Sequence, residues 1–199
     1  MHCYDIDVQK ADFGKLLEWC LVKEGADRML LIIHLYNEAG TLQLACARQY
    51  RNLLKLFGDY ILGMKLVSAW PGTQRLRPIT PSLACLLHFD PTVARIAAQA
   101  GPRVADWIGS RPKFLPEDPC VFRSNHGNPT LMSVTHEQGA WLLTDKSVHL
   151  KAVRTSKDDD VGKFFFQDKW FCRRWRGSAE TENIEKEIRK WQPGAKRRL

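Results

Sequence analysis

Residues 29–36 read Met-Leu-Leu-Ile-Ile-His-Leu-Tyr, and the fold class turns on this stretch. It is almost continuously apolar, which predicts a strand covered on both faces, and the turn formers of residues 37–40 close it. On its N-terminal side, residues 2–8 alternate weakly and predict a first strand. Asp12 is then placed to cap a helix whose apolar face is Phe13, Leu16, Leu17, Cys20 and Leu21. On its C-terminal side, Thr41 is placed to cap a second helix. There Leu42, Cys46, Tyr50, Leu53 and Phe57 recur at helical spacing until Gly58 stops it. Residues 60–70 predict a third strand ending at Pro71-Gly72. The resulting β-α-β-α-β order implies a sheet with helices packed against it and leaves the strand order open.

Residues 80–110 follow a helical pattern. Thr80-Pro81 and Asp90-Pro91 each offer a capping side chain followed by proline at a first helical position. Gly101-Pro102 separates these helices from a short third one containing Val104, Trp107 and Ile108. The proline-rich, charged residues 111–119 mark an internal boundary. Beyond them the period becomes two. Residues 120–123, 130–136, 140–144 and 148–154 predict successive antiparallel strands. Ser178 is placed to cap a last helix, striped by Ile184, Ile188 and Trp191 and ended by Pro193. The expected class is α+β, with an N-terminal β-α-β-α-β sheet and helix layer, central short helices, C-terminal antiparallel strands and a terminal helix. Residues 1–176 form a single domain in this reading, and residues 177–199 a helix with a basic tail.

A chain of 199 residues with 44% hydrophobic residues, seven Trp and nine Phe can build a substantial core. No cationic stretch followed by an apolar block opens it, and its apolar runs fall far short of the roughly 20 residues that span a bilayer. A cytoplasmic location without membrane contact is therefore expected. The six cysteines are widely and irregularly spaced and form no CxxC pair, so reduced core thiols are expected rather than a disulfide framework or zinc ribbon. Phosphate-binding glycine loops and serine nucleophile elbows are missing from the sequence.

The net charge of +8 is unevenly spread. Residues 1–140 hold fifteen Lys or Arg against thirteen Asp or Glu, and residues 141–199 hold fifteen against nine, so the final 59 residues carry +6 of the excess. Residues 163–176, Lys-Phe-Phe-Phe-Gln-Asp-Lys-Trp-Phe-Cys-Arg-Arg-Trp-Arg, interleave cations with rings. Single-stranded nucleic acid suits such a mixture, since cations neutralise phosphates and rings stack on bases. The expected contacts are Lys169, Trp170, Arg173, Arg174, Trp175 and Arg176, with Arg75 and Arg77 in a loop and Lys196, Arg197 and Arg198 on the tail.

The leading expectation is thus a basic, non-catalytic nucleic-acid-binding or accessory protein. An alternative from another class is an interaction protein that restrains an acidic partner, because Trp and Arg also anchor protein interfaces. A metal-dependent nuclease, a phosphodiesterase, is the second alternative. For it, His136 and Glu137 are candidates for acid–base work, and Asp158 with its acidic neighbours is a candidate for Mg²⁺. Cys85, His88, Cys120 and His126 could be drawn as a zinc set, although buried thiols explain the cysteines more simply. No cofactor is expected of the leading reading; Mg²⁺ or Zn²⁺ enters only with the nuclease and zinc alternatives.

Overall fold

A computed structural model describes residues 2–35, 44–67, 70–73, 82–108, 113–124 and 129–156. They build one eight-stranded antiparallel sheet with three α-helices. The strands are β1 (His2–Ile6), β2 (Arg28–His34), β3 (Ile61–Val67), β4 (Ser82–His88), β5 (Glu117–Phe122), β6 (Pro129–Val134), β7 (Gly139–Thr144) and β8 (Val153–Thr155). Their spatial order is β3-β4-β2-β5-β6-β7-β1-β8. The sheet runs without a break across the segment that composition marks as a boundary, since β5 pairs with β2 near its middle.

The helices start and stop where local chemistry dictates. In α1 (Phe13–Glu24), the Asp12 carboxylate accepts the Lys15 amide at 3.1 Å. Gly25, at φ +64, ends it, and the amides of Gly25 and Ala26 return to the carbonyls of Leu21 and Cys20 at 3.1 Å each. In α3 (Pro91–Ala100), Asp90 accepts the Val93 amide at 2.8 Å and proline occupies the first turn. The helix α2 (Leu44–Phe57) passes into a 3-10 turn at Gly58–Tyr60. Among the described residues, no helix is long and apolar enough to cross a membrane.

Strand alternation divides the core into two faces. Met29, Leu31 and Ile33 of β2 join Leu83, Cys85 and Leu87 of β4, and all three helices pack over them. Leu30, Ile32, Ala84, Leu86, Cys120, Phe122, Met132 and Leu143 form a second cluster with Val67 and Trp70. This is why β2 reads as a continuous apolar run: both of its faces are buried.

The same physics corrects one sequence expectation. Ser82–His88 is a strand and not the helix expected to start at Pro81. Six of its seven residues are buried, and it lies between β3 and β2. A strand clad on both faces has no period-two signature to set against a helical one. The short third helix is a single 3-10 turn, Val104–Asp106. The last strand is also shorter than expected, because Ala152, at φ +66, turns the chain just before Val153. The expected terminal helix lies outside the described residues.

Candidate metal centre

Antiparallel pairing brings the C-terminal ends of β2, β3 and β6 to the same end of the sheet as the N-terminal ends of β4 and β5. His34 closes β2 opposite Ser82, Trp70 follows β3, and Glu117 and Asp118 open β5. A 3-10 turn after β6, Thr135–Glu137, supplies His136.

Adjacent residues of a regular strand point to opposite faces. The backbone of Asp118 lies in the left-handed region at φ +51, opposite a register irregularity between Leu30 and Ile32, and both carboxylates approach the same imidazoles. Glu117 Oε2 is 3.5 Å from His34 Nε2 and 3.9 Å from His136 Nδ1. Asp118 Oδ2 is 4.0 and 3.7 Å from the same two nitrogens.

Each of these groups is held from behind. Asp118 is fully buried; its Oδ2 accepts the Trp70 indole N–H at 2.8 Å and its Oδ1 accepts the Thr135 amide at 2.6 Å. The Thr135 hydroxyl lies 2.9 Å from Oδ1 and 2.6 Å from the Trp107 carbonyl, with one proton to give between them. Glu117 Oε1 accepts from Gln49 Nε2 at 3.2 Å, a side chain carried by α2. His34 Nδ1 sits 3.2 Å from the Ser82 hydroxyl, and its ring stands edge-on to those of Trp70 and His136. Glu137 Oε1 is 3.8 Å from the outer nitrogen of His136.

The inner nitrogen of His34 is different. Nε2 is buried and has no hydrogen-bond partner among the described residues. It faces two carboxylates at distances too long for a hydrogen bond, where an orphaned polar atom is costly.

Burial and the neighbouring charges set the ionisation of the cluster. Burial, reinforced by the adjacent Asp118, pushes the Glu117 carboxyl up to about 7. Burial also holds His34 below the usual imidazole value, against the pull of Asp118. Asp118, aided by Glu117 and Glu137, raises His136 in spite of burial. Among the described residues, Glu117 and Asp118 form ion pairs with these histidines and with no Lys or Arg.

Ligand atoms of His34, Asp118 and His136 all lie within 4.8 Å of one another. Donors at about 2.1 Å from a tetrahedral zinc stand about 3.4 Å apart. Asp118 Oδ2 stands 4.0 and 3.7 Å from the two imidazole nitrogens, wider than that spacing by a few tenths of an ångström. Two imidazoles and a carboxylate suit zinc or another first-row divalent ion. The outer contacts, Ser82 on His34, Glu137 on His136 and Trp70 with Thr135 on Asp118, are the kind that fix ring orientation and carboxylate direction around a metal.

Of the residues singled out in the sequence, His136 lies in the cluster and Glu137 on its exposed rim. Cys85 packs on the helix-covered face of the sheet and Cys120 on the opposite face. His88 follows Cys85 in a strand, not in a helix, and is exposed, so residues three apart there point to opposite sides. Arg75, Arg77, His126, Asp158, Lys169, Trp170, Arg173, Arg174, Trp175, Arg176, Lys196, Arg197 and Arg198 lie outside the described residues. The sequence reading missed His34, Glu117, Asp118, Trp70, Thr135 and Gln49. One signal for His34 was present: a lone histidine interrupts the apolar run just where the strand ends. No protein-family model, curated protein or solved structure matches this chain.

Proposed function

We propose that this chain is a metalloprotein whose activity resides in a mononuclear divalent-metal centre formed by His34 Nε2, Asp118 Oδ2 and His136 Nδ1. One observation carries the reading. A buried imidazole nitrogen without a hydrogen-bond partner converges with a second imidazole and a fully buried carboxylate. Without a cation, the two adjacent carboxylates and the orphaned nitrogen carry a desolvation cost that their imidazole neighbours offset only in part. A divalent ion would neutralise both carboxylates and fill the gap between the four groups. His34 would then carry its proton on Nδ1 and donate it to Ser82 Oγ.

The test is zinc binding by the full chain, read by calorimetry and elemental analysis, with Co²⁺ as a spectroscopic substitute. One ion per chain is expected for the wild type, with binding lost in His34→Ala and Asp118→Ala. Equal stoichiometry in wild type and both variants would remove the proposal.

The charge excess of residues 141–199 supports a second reading, in which the protein binds a polyanion through Lys169, Arg173, Arg174, Arg176 and the Lys196, Arg197 and Arg198 tail, with Trp170 and Trp175 stacking on bases. Alanine at the three arginines should weaken binding to single-stranded DNA and flatten its salt dependence. Retention of a bound protein after nuclease treatment would instead favour an acidic protein partner.

A further inference from the structure

We infer that Glu117 is the proton acceptor of this centre and that the site hydrolyses uncharged acyl groups, carboxylic esters or amides; the inference rests on the metal reading above. The mutually close set comprises His34, Asp118 and His136 and does not extend to Glu117. Yet Glu117 Oε2 faces both imidazole nitrogens, at 3.5 and 3.9 Å. Its other oxygen is tied to Gln49, so Oε2 is directed at the site while Oε1 is occupied. Asp118 differs in that both of its oxygens are held by Trp70 and Thr135, which suits a fixed ligand. Two imidazoles and one carboxylate leave a zinc ion an open position for water. The left-handed backbone at Asp118 brings a second carboxylate, that of Glu117, to the same two imidazoles, an arrangement that regular strand geometry would forbid.

The chemistry balances without an oxidant or reductant. A water at the open position gives one proton to Glu117 Oε2, and its oxygen adds to the carbonyl carbon of the substrate, whose C=O electron pair moves onto oxygen. On collapse, the bond from carbon to the leaving oxygen or nitrogen breaks, and the leaving group takes the proton from Glu117. The products are a carboxylic acid and an alcohol or amine, and Glu117 is again a carboxylate.

Charge selects the substrate. Two carboxylates and a divalent ion sum to zero, and exposed Glu137 adds negative charge at the rim. Among the described residues, Glu117, Asp118 and Glu137 pair only with the site's histidines. Among the described residues no Lys or Arg pairs with these carboxylates, so a phosphodiester would gain no cationic side chain from them, whereas an uncharged acyl group needs none.

The experiment uses the zinc-loaded full chain, with p-nitrophenyl acetate and bis(p-nitrophenyl) phosphate as probes, comparing wild type with Glu117→Gln and Gln49→Ala. The wild type should hydrolyse the acetate with zinc dependence. Glu117→Gln should keep one zinc per chain and lose about 100-fold in kcat/KM, the scale of a general base. Gln49→Ala, which frees the carboxylate to rotate, should lose about 10-fold, the lower range for an outer partner. Loss of zinc from Glu117→Gln would make Glu117 a ligand and overturn the inference. So would undiminished turnover in that variant, faster turnover of the phosphodiester, or no turnover by a zinc-loaded wild type. A wild type that holds no zinc would instead remove the metal reading itself.

Discussion

At φ +51 the backbone of Asp118 leaves the extended region for one that Asp tolerates better than most residues do. That departure turns two neighbouring carboxylates towards one point and raises His136, while burial keeps His34 low against the pull of Asp118. In the metal-free protein, His136 should titrate above the ordinary imidazole value and His34 below it, as followed by the imidazole C–H resonances in an NMR pH series. Asp118→Asn keeps the size and one acceptor oxygen but removes the charge, so the His136 midpoint should fall towards the ordinary value. An unchanged His136 would show that Asp118 does not govern it. None of this was legible from sequence periodicity. Glu117-Asp118-Pro119 reads as a charged, proline-bearing boundary, and a positive φ at one aspartate leaves no mark in composition. His136 was visible because it ends a strand pattern beside a turn. His34 was hidden inside the very run that declared the strand.

Elements are legible from sequence where the interaction that defines them is local. The helices α1 and α3 begin at Asp12 and Asp90 as expected, because capping is a local interaction between a side chain and amides two or three residues on. β4 was misread because its partners β3 and β2, and the two apolar layers on its faces, come from distant parts of the chain. The turn after β6 matters equally to the site. Thr135 is buried, links Asp118 to the Trp107 carbonyl, and carries His136 as the next residue. Thr135→Val keeps the shape, deletes the hydroxyl, and leaves either the buried Trp107 carbonyl or Asp118 Oδ1 short of one donor. It should cost about 1–3 kcal/mol in chemical denaturation and weaken zinc binding together with it. Gly72, at φ +89, has a comparable task in the turn that follows Trp70. A Cβ there would lie 2.9 Å from Val134 Cγ2, so Gly72→Ala should displace the indole that holds Asp118 and lower both stability and zinc affinity. Unaltered zinc affinity in a folded Gly72→Ala protein would separate that turn from the site.

On the scale of the whole molecule, the sheet joins strands from both halves of the sequence, and the candidate ligands reside on β2, β5 and the turn between β6 and β7. An ion held by all three would tie the centre of the sheet together, so its effect should appear in global unfolding. The metal-free protein sets the baseline. The folded-state value of Glu117, about 7, lies above its ordinary 4.5, so its contribution to stability is full below pH 4.5 and is lost as pH rises through 7. His136, also raised, contributes fully below its ordinary 6.5 and loses that contribution as pH climbs through its folded value. His34, lowered, has the opposite sign: its contribution is present above 6.5 and is lost as pH falls through its folded value. Two of the three groups thus make the metal-free fold less stable towards alkaline pH, which is where unprotonated ligands bind a cation best. Zinc at about 100 times its Kd adds about 2.7 kcal/mol. For a chain of this size that raises Tm by about 5–10 °C. The rise should be larger at pH 8 than at pH 5.5, and Glu117→Gln should flatten the decline of the metal-free protein between them. A zinc-induced shift that shrank with rising pH would mean that the ion binds somewhere other than among these imidazoles and carboxylates.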